Sequence, residues 1–415
     1  MSHTTGARSG LAVGLFASLL FPPITARAAP PPDPPSADEL RQLEEGLAAD
    51  AAEAPPPPPA TAEPAGTAVG RFLQSMNPDI ALILDVALAA FSDRNPLQVG
   101  AHDPTGTGFT FQQLELSMGS NVGPFFRLDT NIVFSQFGVE VEEAYGTTLA
   151  LPGHLQIRAG QFLTRFGRIN ATHPHTWSFV DQPLVLGKFF GGEGNRGLGV
   201  EVSWLTPLPW YVELIATAGQ ADGACCSRSY YGADNPGVDG VEDFLYTFAV
   251  KQFFPLSGDL GLSLGLSAQL GPNASGNRNR TDVYGMDLYL RWRPADSTRR
   301  MALSLQLEAM FRSRQVPGDV LQDGGGFAQL VWNIDPEWEI GARYELVSGI
   351  SDDPLDPDWS GLRQRGSLEA TFYPSHFSRI RLQGGLDDPS WRSAPIWSAV
   401  LSLELVIGAH GAHRY

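Results

Sequence analysis

After its first 28 residues the 415-residue chain has no apolar run near 18 residues. A membrane-spanning helix needs about 20, so a helical membrane protein is excluded. If this chain enters a bilayer it does so through strands. Those strands must then close into a barrel, because an open backbone edge cannot face hydrocarbon. Cysteine is almost missing: the only two are the neighbours Cys225 and Cys226. Two cysteines make no recognisable metal-ligand pattern. In an oxidising compartment they are left with a strained vicinal disulfide, pairing between chains, weak metal binding or no role. Basic charge is in deficit, 28 Lys and Arg against 45 Asp and Glu, for a net charge of −17. This gives no reason to expect nucleic acid as a partner, and acidity by itself speaks to solubility. Catalytic groupings are lacking too. No Ser-His-Asp set or phosphate loop stands out, and "GGEGNRG" (191–197) follows no strand-to-helix pattern of a nucleotide loop. The expectation is that the protein is not an enzyme and carries no organic cofactor.

What is present begins with an export signal at 1–28. Arg8 supplies a positive start, "LAVGLFASLLF" (11–21) is too short to span as a helix, and "ARA" (26–28) is a small-x-small cleavage site, so the mature chain is expected to start at Ala29. Residues 29–76 read as a proline-rich periplasmic linker. Inside it "SADELRQLEEGLAADAA" is helix-like, with Ser36 and Glu39 spaced as a capping box. Leu40, Leu43 and Leu47 have a and d spacing over two heptads, which suits either an oligomerisation helix or a transient helix in a linker.

From Asn77 to the end, residues 77–415, nearly every segment alternates. "GDLGLSLGLSAQLG" (258–271) sets leucines at 260, 262, 264 and 266 against Gly261, Ser263, Gly265 and Ser267, one apolar face and one small, polar face of a strand. Strands are predicted near 79–91, 109–119, 124–135, 139–150, 154–165, 197–206, 209–219, 242–253, 258–271, 281–293, 299–313, 325–334, 337–348, 361–373, 377–386 and 396–409, about sixteen in all. Each has the 9–11 residues or so that a tilted membrane strand needs. Even-numbered strands end in short turns, most with proline, such as "LPGH", "TPLP" and "YPSH". Odd-numbered strands mostly end in longer loops: 92–108, 166–196, 220–241, 313–325 and 349–360. Short turns at one rim and long loops at the other describe a transmembrane antiparallel β-barrel of the outer membrane, an all-β fold. An even strand count puts both termini on the periplasmic side.

The alternation assigns faces. Arg127, Asp129, Arg158, Arg291, Arg343, Arg365, Arg379 and Arg381 fall on the polar face, with Glu115, Glu201, Glu213, Asp287, Glu308, Glu345 and Glu369. A soluble sandwich would put the same face in water. The aromatics argue for a membrane instead: Trp204 and Trp210 flank one short turn, Trp332 and Trp338 another, and Trp292 and Tyr373 each precede one, as in an interfacial girdle. The polar face then lines a wet lumen, and about sixteen strands leave an aqueous channel without a plug. The expected task is passive diffusion of small polar or charged solutes through a porin-like channel. The alternative is a substrate-specific outer-membrane receptor or a metal-linked uptake protein.

"LQIRAGQFLTRFGRIN" (155–170), after the acidic strand "VEVEEAYG" (139–146) and followed by "VDQPLV" (180–185), resembles the phosphate-selective porin family, porins O and P. That resemblance implies a sixteen-strand porin, a homotrimer, with loops folded into the pore. The basic ladders of that family are not matched, since the inward positions here nearly balance in sign. "NPDIALILD" (77–85), "HPHTWSFVDQPL" (173–184) and "GAHGAHRY" (408–415) resemble bacterial outer-membrane proteins labelled zinc-regulated TonB-dependent receptors. His173 and His175, and separately His410 and His413, are imidazole pairs of the kind that bind zinc, though a site needs three or four ligands. His173 and His175 are therefore the candidate metal ligands, and the other reading is a loop pair packed with Trp177. The long segment 166–196 carries Trp177, Phe179, Phe189 and Phe190. So aromatic a loop is expected to fold inward and set a constriction, with Arg165, Arg168, Asp181, Lys188 and Glu193 as its charges.

Overall fold

The computed structural model describes residues 78–136, 138–234, 236–294, 301–353 and 355–408. Sixteen strands close into one antiparallel barrel. They are β1 Asp79–Phe91, β2 Gly108–Val122, β3 Phe126–Ser135, β4 Gly138–Thr148, β5 Leu155–Leu163, β6 Arg196–Leu205, β7 Tyr211–Gly219 and β8 Leu245–Pro255, then β9 Leu260–Pro272, β10 Arg280–Trp292, β11 Ala302–Val316, β12 Asp319–Asn333, β13 Trp338–Val347, β14 Arg363–Ser375, β15 Ser378–Pro389 and β16 Ile396–Gly408. Each pairs with its neighbours in sequence, and β1 closes the ring on β16 with Ala81 opposite Gly408. Closure pairs the edge strands, so neither edge is left as an exposed row of backbone groups. Among the described residues no helix is long and apolar enough to cross a membrane. The export signal, the linker with its helix, and His410 and His413 lie outside the described residues.

The alternation read from sequence sorts side chains to two surfaces. On β9, Leu266 is 60% exposed on the outside. Its neighbour Ser267 is buried, accepting a hydrogen bond from Gly167 N at 3.0 Å, and Gln269 Nε2 donates to Asn195 and Thr247. The leucines therefore face outward and the polar row faces the interior. The same parity holds on β10, where Met286 is exposed and Asp287 buried, and on β14, where Leu368 is exposed and Glu369 buried.

One predicted loop is absent. Residues 313–325 were expected to form a long connection. Instead β11 and β12 run on to Val316 and back from Asp319, with full cross-strand pairing and only Pro317 and Gly318 between them. The polar stretch around Arg312, Arg314, Gln322 and Asp323 reads as a loop because its inward members are charged. In the barrel Arg312 is neutralised across the strands, its Nε lying 2.9 Å from Asp323 Oδ1, and Arg314 pairs with Asp353 in the connection after β13. One girdle residue also departs from expectation. Trp204, Trp210, Trp292, Trp332 and Trp338 are exposed near the short-turn rim. Tyr373 instead turns inward, its hydroxyl 3.5 Å from Glu339, and Phe372 takes the outer place against Trp338 at 4.8 Å.

Candidate functional site

Between β5 and β6 the chain leaves the wall and crosses the interior. Phe166 and Gly167 make the turn. Gly167 has φ of +59°, a left-handed conformation that side chains adopt at a cost. A Cβ there would lie 1.8 Å from Glu308 Oε1. Two short 3-10 turns follow, Ile169–Ala171 and Pro174–Thr176, then the helix α1, Leu184–Phe189, entered through Pro183. Leu184, Val185, Leu186, Phe189 and Phe190 pack with Phe166 into an apolar cluster against Val283 of β10, Met310 of β11, Phe327 of β12 and Val347 of β13. These strand residues are inward-facing and apolar, an exception to the polar-in rule. They exist because the segment brings its own core into the lumen, where each large side chain buried is worth about 1.5–3 kcal/mol.

Polar groups pin the segment around the wall. On one side the Glu308 carboxylate accepts from the Arg168 and Ile169 amides at 3.0 and 3.2 Å, and Lys251 Nζ donates to Gly167 O at 2.6 Å. Across the barrel, Arg379 and Arg381 both donate to Trp177 O at 3.0 Å, and Gln383 Oε1 accepts from Val180 N at 2.7 Å. Between them Asp181 receives Arg343 at 2.5 Å and Arg365 at 2.7 Å, while Glu345 accepts from Leu184 N at 2.8 Å. Burial pushes the Asp181 carboxyl up, but Arg343 and Arg365 outweigh it and hold it at about 2. These contacts hang the segment from β8, β11, β13, β14 and β15.

The five proposed constriction charges divide into two groups. Asp181, Lys188 and Glu193 are consumed in fastening the segment. Lys188 is buried, bound to Asp323 and to Ser348 O, and burial pulls its ammonium down to about 8. Glu193 faces His102. Arg165 and Arg168 keep solvent contact. Arg165 reaches Glu201 at 2.8 Å and Glu213 at 2.7 Å, and Arg168 stacks 3.8 Å over the Tyr289 ring. Among the lumen residues, Arg127 pairs with Asp129 at 2.8 Å and Arg158 with Glu201 at 3.0 Å, both partly exposed. Arg291 is partly exposed on the same face of β10 as Asp287. Arg343, Arg365, Arg379 and Arg381 are buried on the inner segment.

The histidine pair is split by the structure. His173 and His175 stack at 5.7 Å, but His175 Nδ1 turns to Glu115 at 2.9 Å. His173 meets Glu142 Oε2 through Nδ1 at 3.1 Å and Glu143 Oε2 through Nε2 at 2.8 Å. The partner that sequence reasoning missed is His102, on the loop between β1 and β2. Its Nε2 stands 3.2 Å from both Glu142 Oε1 and Glu193 Oε2. Burial pushes both imidazoles down. The carboxylates outweigh it, and His102 and His173 sit well above the ordinary histidine value. Two β-bulges build this cluster. Opposite β3, the register jumps so that Glu142 is unpaired and both Glu142 and Glu143 are buried toward the interior. Opposite β1, Gln112 is the extra residue, and its carbonyl receives His102 Nδ1 at 3.3 Å. Bulges re-aim side chains in this way. The sequence signal was the doubled "EE" that breaks the alternation of 139–146. Nearby, Cys225 and Cys226 form a vicinal disulfide, and Cys225 O receives Glu193 N.

No family model matches the chain. An uncharacterized protein of Aquifex aeolicus is 33% identical over 390 residues, covering 81% of this chain and 80% of its own length. Among solved structures, OprB of Pseudomonas putida superimposes with a TM-score of 0.55 at 11% identity, over 81% of this chain and 96% of that one. An anion-selective porin from Comamonas acidovorans gives 0.52 at 12%, over 80% and 99%. Outer-membrane expressed OmpT of Vibrio cholerae gives 0.52 at 11%, over 80% and 97%. These neighbours share the barrel fold. The chain belongs to the same family as the Aquifex aeolicus protein.

Proposed function

We propose that this family member is an outer-membrane channel through which small polar or charged solutes diffuse, with a lumen narrowed by residues 164–195. One observation carries the reading: a single closed wall has an apolar outside and a charged inside. Leu266, Met286, Leu368 and Leu382 are 60, 59, 68 and 57% exposed. Water penalises such a belt and hydrocarbon accepts it, while a hydrated lumen tolerates the arginines and carboxylates behind it. Arg165 and Arg168, which keep solvent contact, are assigned to the narrow point, where Arg165 meets Glu201 and Glu213 and ring-like charge sets selectivity. Mixed signs there favour weak ion preference. The short-turn rim, with both barrel ends, is assigned to the periplasm and the long loops to the outside. Homotrimeric assembly is part of the proposal.

A planar-bilayer recording tests the channel. Steady ohmic openings support it. A folded, heat-modifiable barrel that never conducts would reject it in favour of a gated, substrate-specific receptor or metal-linked uptake protein. The observation that favours this second reading is how tightly the segment is fastened to the strands around it. Chemical cross-linking in vesicles tests the trimer.

A further inference from the structure

We propose that His102, Glu142 and Glu193, with His173 on the second oxygen of Glu142, bind a divalent transition-metal cation that latches the inner segment to the β1–β2 loop and to β4. Hydrogen-bond polarity fixes the His102 tautomer. Gln112 O only accepts, so His102 Nδ1 carries a proton. His102 Nε2 then faces two carboxylate oxygens, each 3.2 Å away, and those also only accept. Something positive must stand there, either a second proton or a cation. His173 lies beside it, its Nε2 held between Asn131 Nδ2 at 2.9 Å and Glu143 at 2.8 Å and its Nδ1 turned to Glu142 at 3.1 Å. One ring nitrogen anchored on a carbonyl or carboxylate, with the other aimed into the cluster, is how metal-ligating histidines are held. Ligand atoms about 2.0–2.2 Å from a metal stand roughly 3.3 Å from one another, close to the 3.2 Å from His102 Nε2 to each carboxylate oxygen.

A second observation is independent of those contacts. His102, Glu142, His173 and Glu193 border a cavity of about 30 Å³, room for one water or one ion. Gln182 lines the same cavity, is 1% exposed, and its Oε1 has no hydrogen-bond partner. A buried orphan acceptor beside an opening of that size calls for a donor or a cation. Arg196 also borders the cavity and is ion-paired to Glu140. The donor set of imidazoles and carboxylates without thiolate selects the zinc class of divalent ions over magnesium or calcium and over copper(I). The two bulges at Gln112 and Glu142 bring the pieces into place from separate strands. The site stands on its own geometry, and only its effect on conductance rests on the channel reading.

The test uses the full chain folded in detergent, stripped with a chelator, titrated with Co²⁺ and competed with Zn²⁺. One Co²⁺ per chain is expected, with visible d–d bands that Zn²⁺ abolishes. Glu142→Gln and His102→Ala should each weaken binding at least ~100-fold in a barrel that still migrates heat-modifiably. Glu193→Gln, on a loop and outside the strand ladder, keeps the test decisive if the other two do not fold. His376→Ala, in the turn after β14, should bind as the parent does. Missing d–d bands, or equal binding in the site variants, overturns the site. So does a nitrogen NMR spectrum of His102 with both ring nitrogens protonated in excess Zn²⁺, which identifies an imidazolium ion pair in place of the metal. Bilayer recordings on the same samples separate the two claims. Conductance without metal binding sinks this site alone, and metal binding without conductance sinks the channel alone.

Discussion

Replacing Asp181 with asparagine keeps the shape of the side chain and removes its charge. The parent carboxylate receives Arg343 Nη2 at 2.5 Å, Gln383 Nε2 at 2.7 Å and Arg365 Nη1 at 2.7 Å. The two arginine side chains are 1% and 4% exposed, so the variant leaves two buried guanidinium groups sharing Glu345 alone. Removing one partner of a buried pair costs about 3–5 kcal/mol. The depression of the carboxyl from 3.8 to about 2, at about 1.4 kcal/mol per unit, gives about 2–3 kcal/mol by a separate route. Roughly 3 kcal/mol is a factor of about 100–200 in the pinned-to-released ratio. The cost falls on the inner segment, because the wall is held by backbone ladders that Asp181 does not touch. The assay is hydrogen exchange on a peptide spanning 178–186, whose Val180, Gln182 and Leu184 amides are bonded to Gln383, Asp103 and Glu345. These amides should exchange about two orders of magnitude faster in Asp181→Asn. Unchanged exchange in a correctly folded barrel would refute the reasoning. The pH dependence has a defined sign. A carboxyl with a depressed folded value stabilises fully above its unfolded value of 3.8 and loses that contribution as pH falls through about 2. This anchor should therefore hold from neutral pH to about 4.

Three further outcomes are expected. Deleting 172–192 should raise single-channel conductance strongly and shift ion preference, and a folded deletion with parental conductance would reject an inner constriction. Lysine at Leu262 or Leu264 should block membrane insertion through a penalty of about 2–4 kcal/mol on the lipid face, while Ser263→Lys inserts; equal yields of heat-modifiable barrel would mean the faces are reversed. Gly167→Ala should loosen the entry of the segment by about 1–3 kcal/mol, since it forces a left-handed Cβ against Glu308. Exchange at the Arg168 and Ile169 amides reports it, and parental protection there would contradict the clash.

The barrel itself was legible because its code is local. A strand with one apolar and one polar face must alternate with period two, so sixteen alternating runs and their short turns could be counted without knowing any partner. The one miscounted connection, 313–325, shows the limit of that code. Arg312 and Asp323 look like loop residues until β11 and β12 set them against each other, and Arg314 until it meets Asp353 in the connection after β13. Tyr373 shows the same limit at the rim, since its parity turns it toward Glu339. An inward fold of 166–196 was suggested by its aromatics, yet which charges it would spend on its own fastening was not. Lys188 and Asp181 find their partners more than a hundred residues away. The histidine cluster shows the same limit: His173 stands out in the sequence, and its neighbours His102 and Glu193, 91 residues apart, do not. Sequence alone determined strand number, strand position and the two faces of the wall, since each depends on neighbours two residues away. The tertiary structure decided what meets inside the wall, because closing sixteen strands into a ring brings loops from distant parts of the chain into one small volume, where burial makes every unpaired charge costly and so selects the partners.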